Sequence, residues 1–312
     1  MGGNMSEHIA AIRGYRFTRT ELITKGLSGD RKYYLETADG KRLLARISDS
    51  SEYERKKAAY ELMLKASGIG LPMPVPVDFG YCEDRSEIHT LLTWVEGEDA
   101  ERVLPKLSRQ EQYRLGVEAG RILRRLHDNS EAACSESWQS RYFAVMEPRL
   151  DAYREEGVQF AGSDQILRYL ENNRQFLCNR PQTLHHGDFH LGNMVIDKDR
   201  HLSVIDWDTA DFDNVGDPWY EFRCIGTQRP EFAAGQIDGY FEKRVPEEFW
   251  RLLAFYQAGS AITSIVWAKY FAPECMDEIM QLNGDIVKWY DGMNRLIPTW
   301  YDAVLKECCG SY

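Results

Sequence analysis

Between Met194 and Ile205 the chain has little choice in what it can build. Two short apolar runs, Met194-Val195-Ile196 and Leu202-Ser203-Val204-Ile205, flank the polar tip Asp197-Lys198-Asp199-Arg200. Apolar runs of this length about a polar turn predict a β-hairpin. A hairpin folds back on itself, so Asp206 returns close to Asn193, thirteen positions earlier (206 − 193). Just upstream, the loop His186-Gly187-Asp188-Phe189-His190-Leu191-Gly192-Asn193 adds another carboxylate, Asp188. One stretch therefore offers a carboxylate, a neutral amide oxygen and a second carboxylate. Mg²⁺ suits such a set, because it takes few protein oxygens and leaves its other positions to phosphate and water. A competing reading makes His185, His186, His190 and Asp188 the zinc ligands of a hydrolase, since closely spaced histidines can bind zinc. It finds no further histidine-rich segment and gives Asn193 and Asp206 nothing to do. His186 reads better as a buried organiser of the loop.

Loop and hairpin together resemble the catalytic loop of protein kinases, H-R-D-x-x-x-x-N, followed by the metal-binding Asp of D-F-G. With Gly187 after His186, and Ile205-Asp206-Trp207-Asp208 in place of D-F-G, the chain is similar to the aminoglycoside phosphotransferase family. That family comprises small-molecule kinases acting on antibiotics, choline-type compounds and other metabolites. The resemblance implies an α+β, two-lobed protein-kinase-like fold, with a small antiparallel-sheet N-lobe and a larger, mostly helical C-lobe. It makes residues 1–96 a nucleotide-binding lobe and residues 97–312 a catalytic and acceptor-binding lobe. Asp188 is then the catalytic base, Asn193 and Asp206 hold Mg²⁺, and ATP or GTP is the co-substrate.

Composition narrows the partners. At 312 residues, 43% of them hydrophobic, the chain can bury one large core or two modest ones. No apolar run reaches the length of a membrane span, and the first twenty residues carry Arg13, Arg16 and Arg19 without a continuous apolar stretch. Neither a membrane partner nor a signal peptide is expected. Seven scattered cysteines, with no C-x-x-C pair, suggest reduced thiols and a cytoplasmic protein. A net charge of −11 argues against nucleic acid, whose phosphates need a basic footprint, and is compatible with a cationic acceptor.

The first third reads as a small β-rich lobe. Glu21–Lys25 and Lys32–Thr37 flank Gly26-Leu27-Ser28-Gly29-Asp30, and Asp39-Gly40 marks a second turn before Arg42–Ile47. The backbone of the first turn, at Ser28 and Gly29, is suited to covering nucleotide phosphates. Arg46 stands where kinase-like enzymes place a phosphate-contacting Lys, and a guanidinium can take that part bidentately. Ser51-Glu52-Tyr53-Glu54 reads as a capping box opening a helix to about Ala66, with Ala59, Leu62, Met63 and Ala66 as its apolar stripe. The family's helix Glu, partner of the strand cation, falls near Glu61, with Glu54 the alternative beside it, although helical period turns Glu61 away from that stripe. After Pro72, Pro74 and Pro76 come two more strands, and the resemblance has Thr93 and Val95 meet the adenine edge through backbone C=O and N–H.

Beyond Gly97 the pattern is mainly helical. Ser108-Arg109-Gln110-Glu111 caps a helix whose apolar stripe runs from Leu115 to Leu126, with His127 as a core residue. Gly216-Asp217-Pro218-Trp219-Tyr220-Glu221 is similar to the family's G-D-P-x-x-D segment, with Glu221 for the usual Asp, and Asp217 is expected to brace the catalytic loop. Asp208, Asp211 and Asp213 read as loop solvation. Two long helical patterns, Glu247–Tyr270 and Met276–Leu305, close the chain. Their aromatic residues read as core and their acidic ones as solvated face. The functional expectation is Mg²⁺-dependent transfer of a γ-phosphate to a small hydroxyl-bearing acceptor, an aminoglycoside-like antibiotic among the candidates. Phosphorylation of a cellular metabolite, and nucleotide binding without transfer, are the alternatives.

Overall fold

Tyr33 and Leu35 are buried while Lys32 and Tyr34 on the same strand are only half-buried, and this two-residue period is what makes a sheet. The computed structural model describes residues 12, 14–24, 29–83, 85–130, 134–207, 211–226 and 229–308, without the side chains of 211, 213, 307 and 308. It divides into two units: Met1–Ala100 with Asn193–Thr209, and Glu101–Gly192 with Ala210–Tyr312.

The first unit is built on a five-stranded antiparallel sheet. Its strands are β1 (Phe17–Ile23), β2 (Arg31–Thr37), β3 (Arg42–Asp49), β4 (Pro76–Tyr81) and β5 (Glu87–Thr93), in the order β1-β2-β3-β5-β4. Register sets Lys32 opposite Arg46 and Arg46 opposite Thr90, so those three share one face. Tyr33, Leu35, Leu43, Ala45, Ile47 and Leu91 make the core of the other face with Ile12 and Cys82. Helix α1 (Tyr53–Gly68) follows β3 and buries Ala59, Met63 and Ala66. The capping box expected at Ser51 is not formed. Asp49, two residues earlier, accepts the Ser51 N–H (2.9 Å) and Ser51 Oγ–H (2.6 Å) and so starts a 3₁₀ turn at Ser50–Glu52.

The hairpin is present as β7 (Met194–Ile196) and β8 (Leu202–Val204), joined on its outer edge by the short β6 (Glu98–Asp99). Asp197 closes its tip by accepting from the amides of Asp199 (2.9 Å) and His201 (2.8 Å). The hairpin groups with the sheet unit because β6 pairs with it and the Val204 amide donates to Pro72 O (2.9 Å). A division at 96/97 into two continuous segments does not contain this excursion.

The second unit is helical. Its long elements are α2 (Arg109–Asp128), α3 (Trp138–Glu156), α4 (Ser163–Asn172), α5 (Pro230–Phe241), α6 (Glu247–Phe271), α7 (Met276–Trp289) and α8 (Thr299–Cys308). The Ser108–Glu111 capping box is complete at the start of α2. What reads as one helix from Met276 to Leu305 is two. Asp291, Gly292 and Met293 all take positive φ, which ends α7, and Pro298 stands just ahead of α8. The core gathers Trp138, Tyr142, Phe255, Tyr256, Ile262 and Tyr290, as expected of aromatic residues at helical spacing. Among the described residues no helix is long and apolar enough to cross a membrane.

Helices α2 and α5 cross at unusually short range. A Cβ added at Gly120 would stand 2.1 Å from Gln236 O, and one at Gly235 would stand 2.1 Å from Tyr113 O. Gly116 and Gly239 meet the same limit, at 2.0 Å from Phe232 O and 2.2 Å from Val117 O. Beside the crossing, Asp238 accepts from Tyr113 OH (2.5 Å) on α2 and Tyr301 OH (2.6 Å) on α8, tying three helices together. Alanine is favoured over glycine by about 1 kcal/mol in an ordinary helix, so backbone approach must decide here. Gly120→Ala and Gly235→Ala should each lower stability, overpacking costing about 1–3 kcal/mol or more. A urea midpoint unchanged or raised in both variants would show that the crossing can open at no cost.

Candidate active site

On the sheet unit the chemistry converges on Arg46. Arg46 and Ser48 lie two apart on β3 and so point the same way. Asp30, immediately before β2, accepts from Arg46 Nε (2.8 Å), Ser48 Oγ (2.7 Å) and Lys56 Nζ (2.6 Å), and lies 2.7 Å from Arg46 Nη2. Arg46 Nη1 donates to Asp206 Oδ1 at 2.7 Å. The Arg46 and Asp30 side chains are 8% and 6% exposed, while Asp206 is 38% exposed. Burial alone raises the Asp30 carboxyl, but Arg46, Lys56 and Ser48 together hold it at about 2.

The hairpin brings Asn193 and Asp206 to one end, as its pattern requires. The Ile205 amide donates to Asn193 O at 2.9 Å, and Asp206 follows directly with φ +64°. Asp is among the few side chains that visit this left-handed region. Trp207, buried next to it, donates its Nε1–H to Val204 O (3.0 Å) and fixes the chain after the carboxylate. An amide oxygen and a partly exposed carboxylate carried on one hairpin fit Mg²⁺.

The catalytic loop crosses into the helical unit at Gly192. There Asp188 Oδ2 lies 3.0 Å from His190 Nε2, and His190 Nδ1 accepts the Gly192 amide (3.0 Å). Because Nδ1 accepts, the Nε2 nitrogen carries the proton and donates it to Asp188. His186, fully buried, accepts the Asp188 amide on Nδ1 (3.2 Å), as an organiser of the loop would. Arg223 donates to Gly187 O (2.6 Å) and its guanidinium stands 3.6 Å from Asp188 Oδ1. Burial raises the Asp188 carboxyl, but the His190 hydrogen bond and the Arg223 guanidinium hold it at about 2. Asp188 is therefore ionised at neutral pH, with 41% of its side chain exposed.

Glu221, not Asp217, braces this loop. Its carboxyl accepts the amides of His186 (2.5 Å) and Gly187 (3.1 Å) from full burial. Asp217 instead holds Arg180 (2.6 Å) and Tyr256 OH (2.7 Å) and caps the Trp219 amide (2.9 Å). The extra methylene of Glu lets a side chain one turn further on reach the loop. Sequence marked Glu221 only as a departure from the family pattern.

Other expected site residues fare unevenly. Glu61 is exposed on α1, and the residue of that helix that reaches the cluster is the buried Lys56. Its exposure follows from the helical period that turned it from the apolar stripe, so the helix Glu expected beside Arg46 is not there. Ser28 and Asp208 lie outside the described residues. Gly29 has open space where a Cβ would stand. Thr93 commits its amide to Val75 O (2.8 Å), which narrows its part at an adenine edge to its carbonyl; Val95 is half-buried. The zinc reading loses its ligands: among the described residues no three His, Cys, Asp or Glu side chains gather as a metal site. His185 is a buried ring against Trp138 and Tyr220.

Burial dominates the Glu221 carboxyl and pushes it up to about 7, against the opposing charge of Arg223 and the two amide donors. A raised carboxyl favours the fold while protonated. Its contribution is complete below the ordinary value of 4.5 and is lost as pH rises from there through about 7. Glu221→Gln, a neutral isostere with an acceptor oxygen, should remove that slope. Its stability relative to wild type should rise between pH 5 and pH 8, by up to roughly 3 kcal/mol. Parallel urea-midpoint profiles for the two proteins would assign the slope to other groups.

The family model described as "APH: Phosphotransferase enzyme family" matches residues 19–253, a span containing both the sheet cluster and the catalytic loop. A comparison with curated protein sequences gives no match. Among solved structures, a thermostable mutant of aminoglycoside phosphotransferase APH(4)-Ia, in ternary complex with ADP and hygromycin B, superposes with a TM-score of 0.67. It is 20% identical, over 91% of this chain and 98% of that one. A GDP complex of an aminoglycoside 2'-phosphotransferase-IIIa mutant also reaches 0.67, at 13% identity over 93% and 100% of the chains. Amicoumacin kinase hAmiN, in complex with AMP-PNP, Ca²⁺ and Ami, reaches 0.62 at 12% identity, covering 95% of each chain. At these identities the likeness establishes the fold.

Proposed function

This chain belongs to the phosphotransferase enzyme family, and from that premise we propose that it moves the γ-phosphoryl group of ATP or GTP to a hydroxyl of a small molecule. The observation that carries the reading is the Arg46–Asp206 ion pair of 2.7 Å. It brings together the strand cation that would take phosphate oxygens and the carboxylate that would hold a metal ion, the two kinds of group a kinase sets at the nucleotide phosphates.

Asn193 and Asp206 are the residues to hold Mg²⁺, whose charge when bound would offset that of the phosphates. The Arg46 guanidinium would bind phosphate oxygens in a fixed plane. Asp188, ionised and held by His190, would accept the acceptor's O–H as a hydrogen-bond donor and orient its oxygen. A carboxyl near 2 is a weak base, so it takes the proton late, once the new P–O bond has made that oxygen acidic. For the acceptor, the net charge of −11 favours a cationic molecule, and aminoglycosides are the first class to test. Choline-type compounds and sugar alcohols form the comparison set. A reduced cytoplasm, where nucleoside triphosphates are plentiful, is the matching compartment.

The proposal is tested by acceptor-dependent nucleotide consumption across those classes, with and without Mg²⁺. Asp188→Asn should lower kcat by roughly 10²–10⁴-fold, the span of general-base assistance, and leave nucleotide affinity nearly unchanged. Asp206→Asn should instead weaken Mg-nucleotide binding and abolish transfer, since an amide lacks the charge that holds the ion. Arg46→Ala should raise the nucleotide KM while Arg46→Lys keeps much of the activity. If Asp188→Asn turns over within a few-fold of wild type on a true acceptor, the carboxylate only shapes its loop. No acceptor-dependent consumption, beside tight nucleotide binding, would favour binding without transfer.

A further inference from the structure

Protein kinases hold their strand lysine with a glutamate from the next helix. Here α1 sends a cation instead: Lys56, with 5% of its side chain exposed, reaches the same carboxylate oxygen that Arg46 holds. We propose that Asp30 replaces the helix glutamate as the group that sets the strand cation, with Lys56 and Ser48 anchoring Asp30 from behind. Asp30 and Lys56 are thus positioning residues for phosphate binding by Arg46. The inference rests on Arg46 being a phosphate ligand and adds what makes it one.

The geometry assigns each donor its place. Asp30 Oδ2 receives Arg46 Nε (2.8 Å) and Lys56 Nζ (2.6 Å) and lies 2.7 Å from Arg46 Nη2, and Oδ1 receives Ser48 Oγ (2.7 Å). Held by Asp30 on its Nε edge and by Asp206 at Nη1, the guanidinium is constrained from two sides. The opposite end, Nη1, is thereby aimed at Asp206 (2.7 Å), the side on which metal and phosphates are proposed to bind. Lys32, opposite Arg46 on β2, adds a second half-buried cation to that face. Without Asp30, the Arg46 and Lys56 charges would lose the carboxylate they share, and the Nε edge of Arg46 would lose its hydrogen-bond acceptor.

The arrangement also explains why a carboxylate on α1 is dispensable. A Glu at position 56 would compete with Asp30 for one guanidinium edge and leave two anions close together. A lysine there neutralises Asp30 and leaves Arg46 the charge it needs for phosphate.

The test titrates the full chain with Mg²⁺-AMP-PNP and measures kcat alongside. Asp30→Asn should raise the Kd about ten- to a hundredfold, the equivalent of one charge-assisted hydrogen bond, with kcat at saturating nucleotide within a few-fold of wild type. In an Arg46→Ala background the same change should alter the Kd by less than about twofold, because Asp30 acts through Arg46. A merely structural Asp30 predicts equal losses in both backgrounds, and that result overturns the inference, as does an unchanged Kd in the single variant. If Asp30→Asn fails to fold, Lys56→Met serves, since it keeps the carboxylate and removes its anchor. It should raise the Kd several-fold in wild type and not in Arg46→Ala; no rise in wild type overturns the inference. Wild-type protein without measurable affinity for either AMP-PNP or GMP-PNP would overturn the phosphotransferase reading itself, and this inference with it.

Discussion

A guanidinium taken out of water must be met on every edge, and the sheet unit is arranged around how Arg46 is met. Its position is fixed by β3 register, its Nε edge by Asp30, and its far end by Asp206. None of these partners is local in sequence: Asp30 is 16 residues away and Asp206 is 160. The hairpin therefore has to be carried back to the sheet unit, which the pairing of β6 with β7 and the Val204–Pro72 hydrogen bond accomplish. Charge demands topology here. A buried cation left with one partner missing costs several kcal/mol, more than a short two-stranded hairpin can supply alone.

In the helical unit the organising constraint is a backbone that cannot satisfy itself. The segment His185–Asn193 is neither helix nor strand over most of its length, so its amides need partners from outside. Glu221 takes two of them, and the rings of His186 and His190 take those of Asp188 and Gly192. The Asp188 carboxylate is left projecting from a loop whose own hydrogen bonds fix its direction. Arg223 holds Gly187 O and faces Asp188, so its charge serves both the brace and the base. Burial lifts the Glu221 carboxyl and the Asp188 charge adds to the rise, while Arg223 and the two amide donors oppose it and leave it at about 7.

What sequence could show follows from the range of each interaction. The hairpin, the Ser108 capping box, the five strands and the apolar stripes are set by residues within a few positions of one another, and all are legible. The brace on the catalytic loop is not, because Asp217 and Glu221 are both plausible acids in one segment and only the folded path decides which reaches His186. Glu61 shows the same limit from the other side. Its spacing matched the family, but helical period already turned it from the apolar stripe, and the structure follows the period. Asp30, the residue that does meet Arg46, lies in a turn whose glycines drew attention to backbone and away from side chains. The glycines of α2 and α5 carried a signal of their own, two pairs at i and i+4, that acquires meaning only when the two helices are known to cross.

These limits bear on how substitutions in this chain should be read. A position that matches a family motif inherits a chemical role only if the groups around it preserve the electrostatics of that role. Arg46 in place of Lys is a change of donor geometry, from a point charge to a planar fork. A fork needs an orienting carboxylate on one edge, whereas an ammonium needs only a nearby anion. The carboxylate of Asp30 on the guanidinium edge, with Lys56 on the same oxygen, is consistent with that donor geometry. Restoring a lysine at position 46 would leave Asp30 and Lys56 arranged for a guanidinium that is no longer there. Arg46→Lys can keep the charge at the phosphates, but it gives up the planar fork that now reaches Asp30 through Nε and Asp206 through Nη1. Its deficit belongs in nucleotide affinity and not in the step governed by Asp188, which Asp188's own hydrogen bonds to His190 and the loop continue to set.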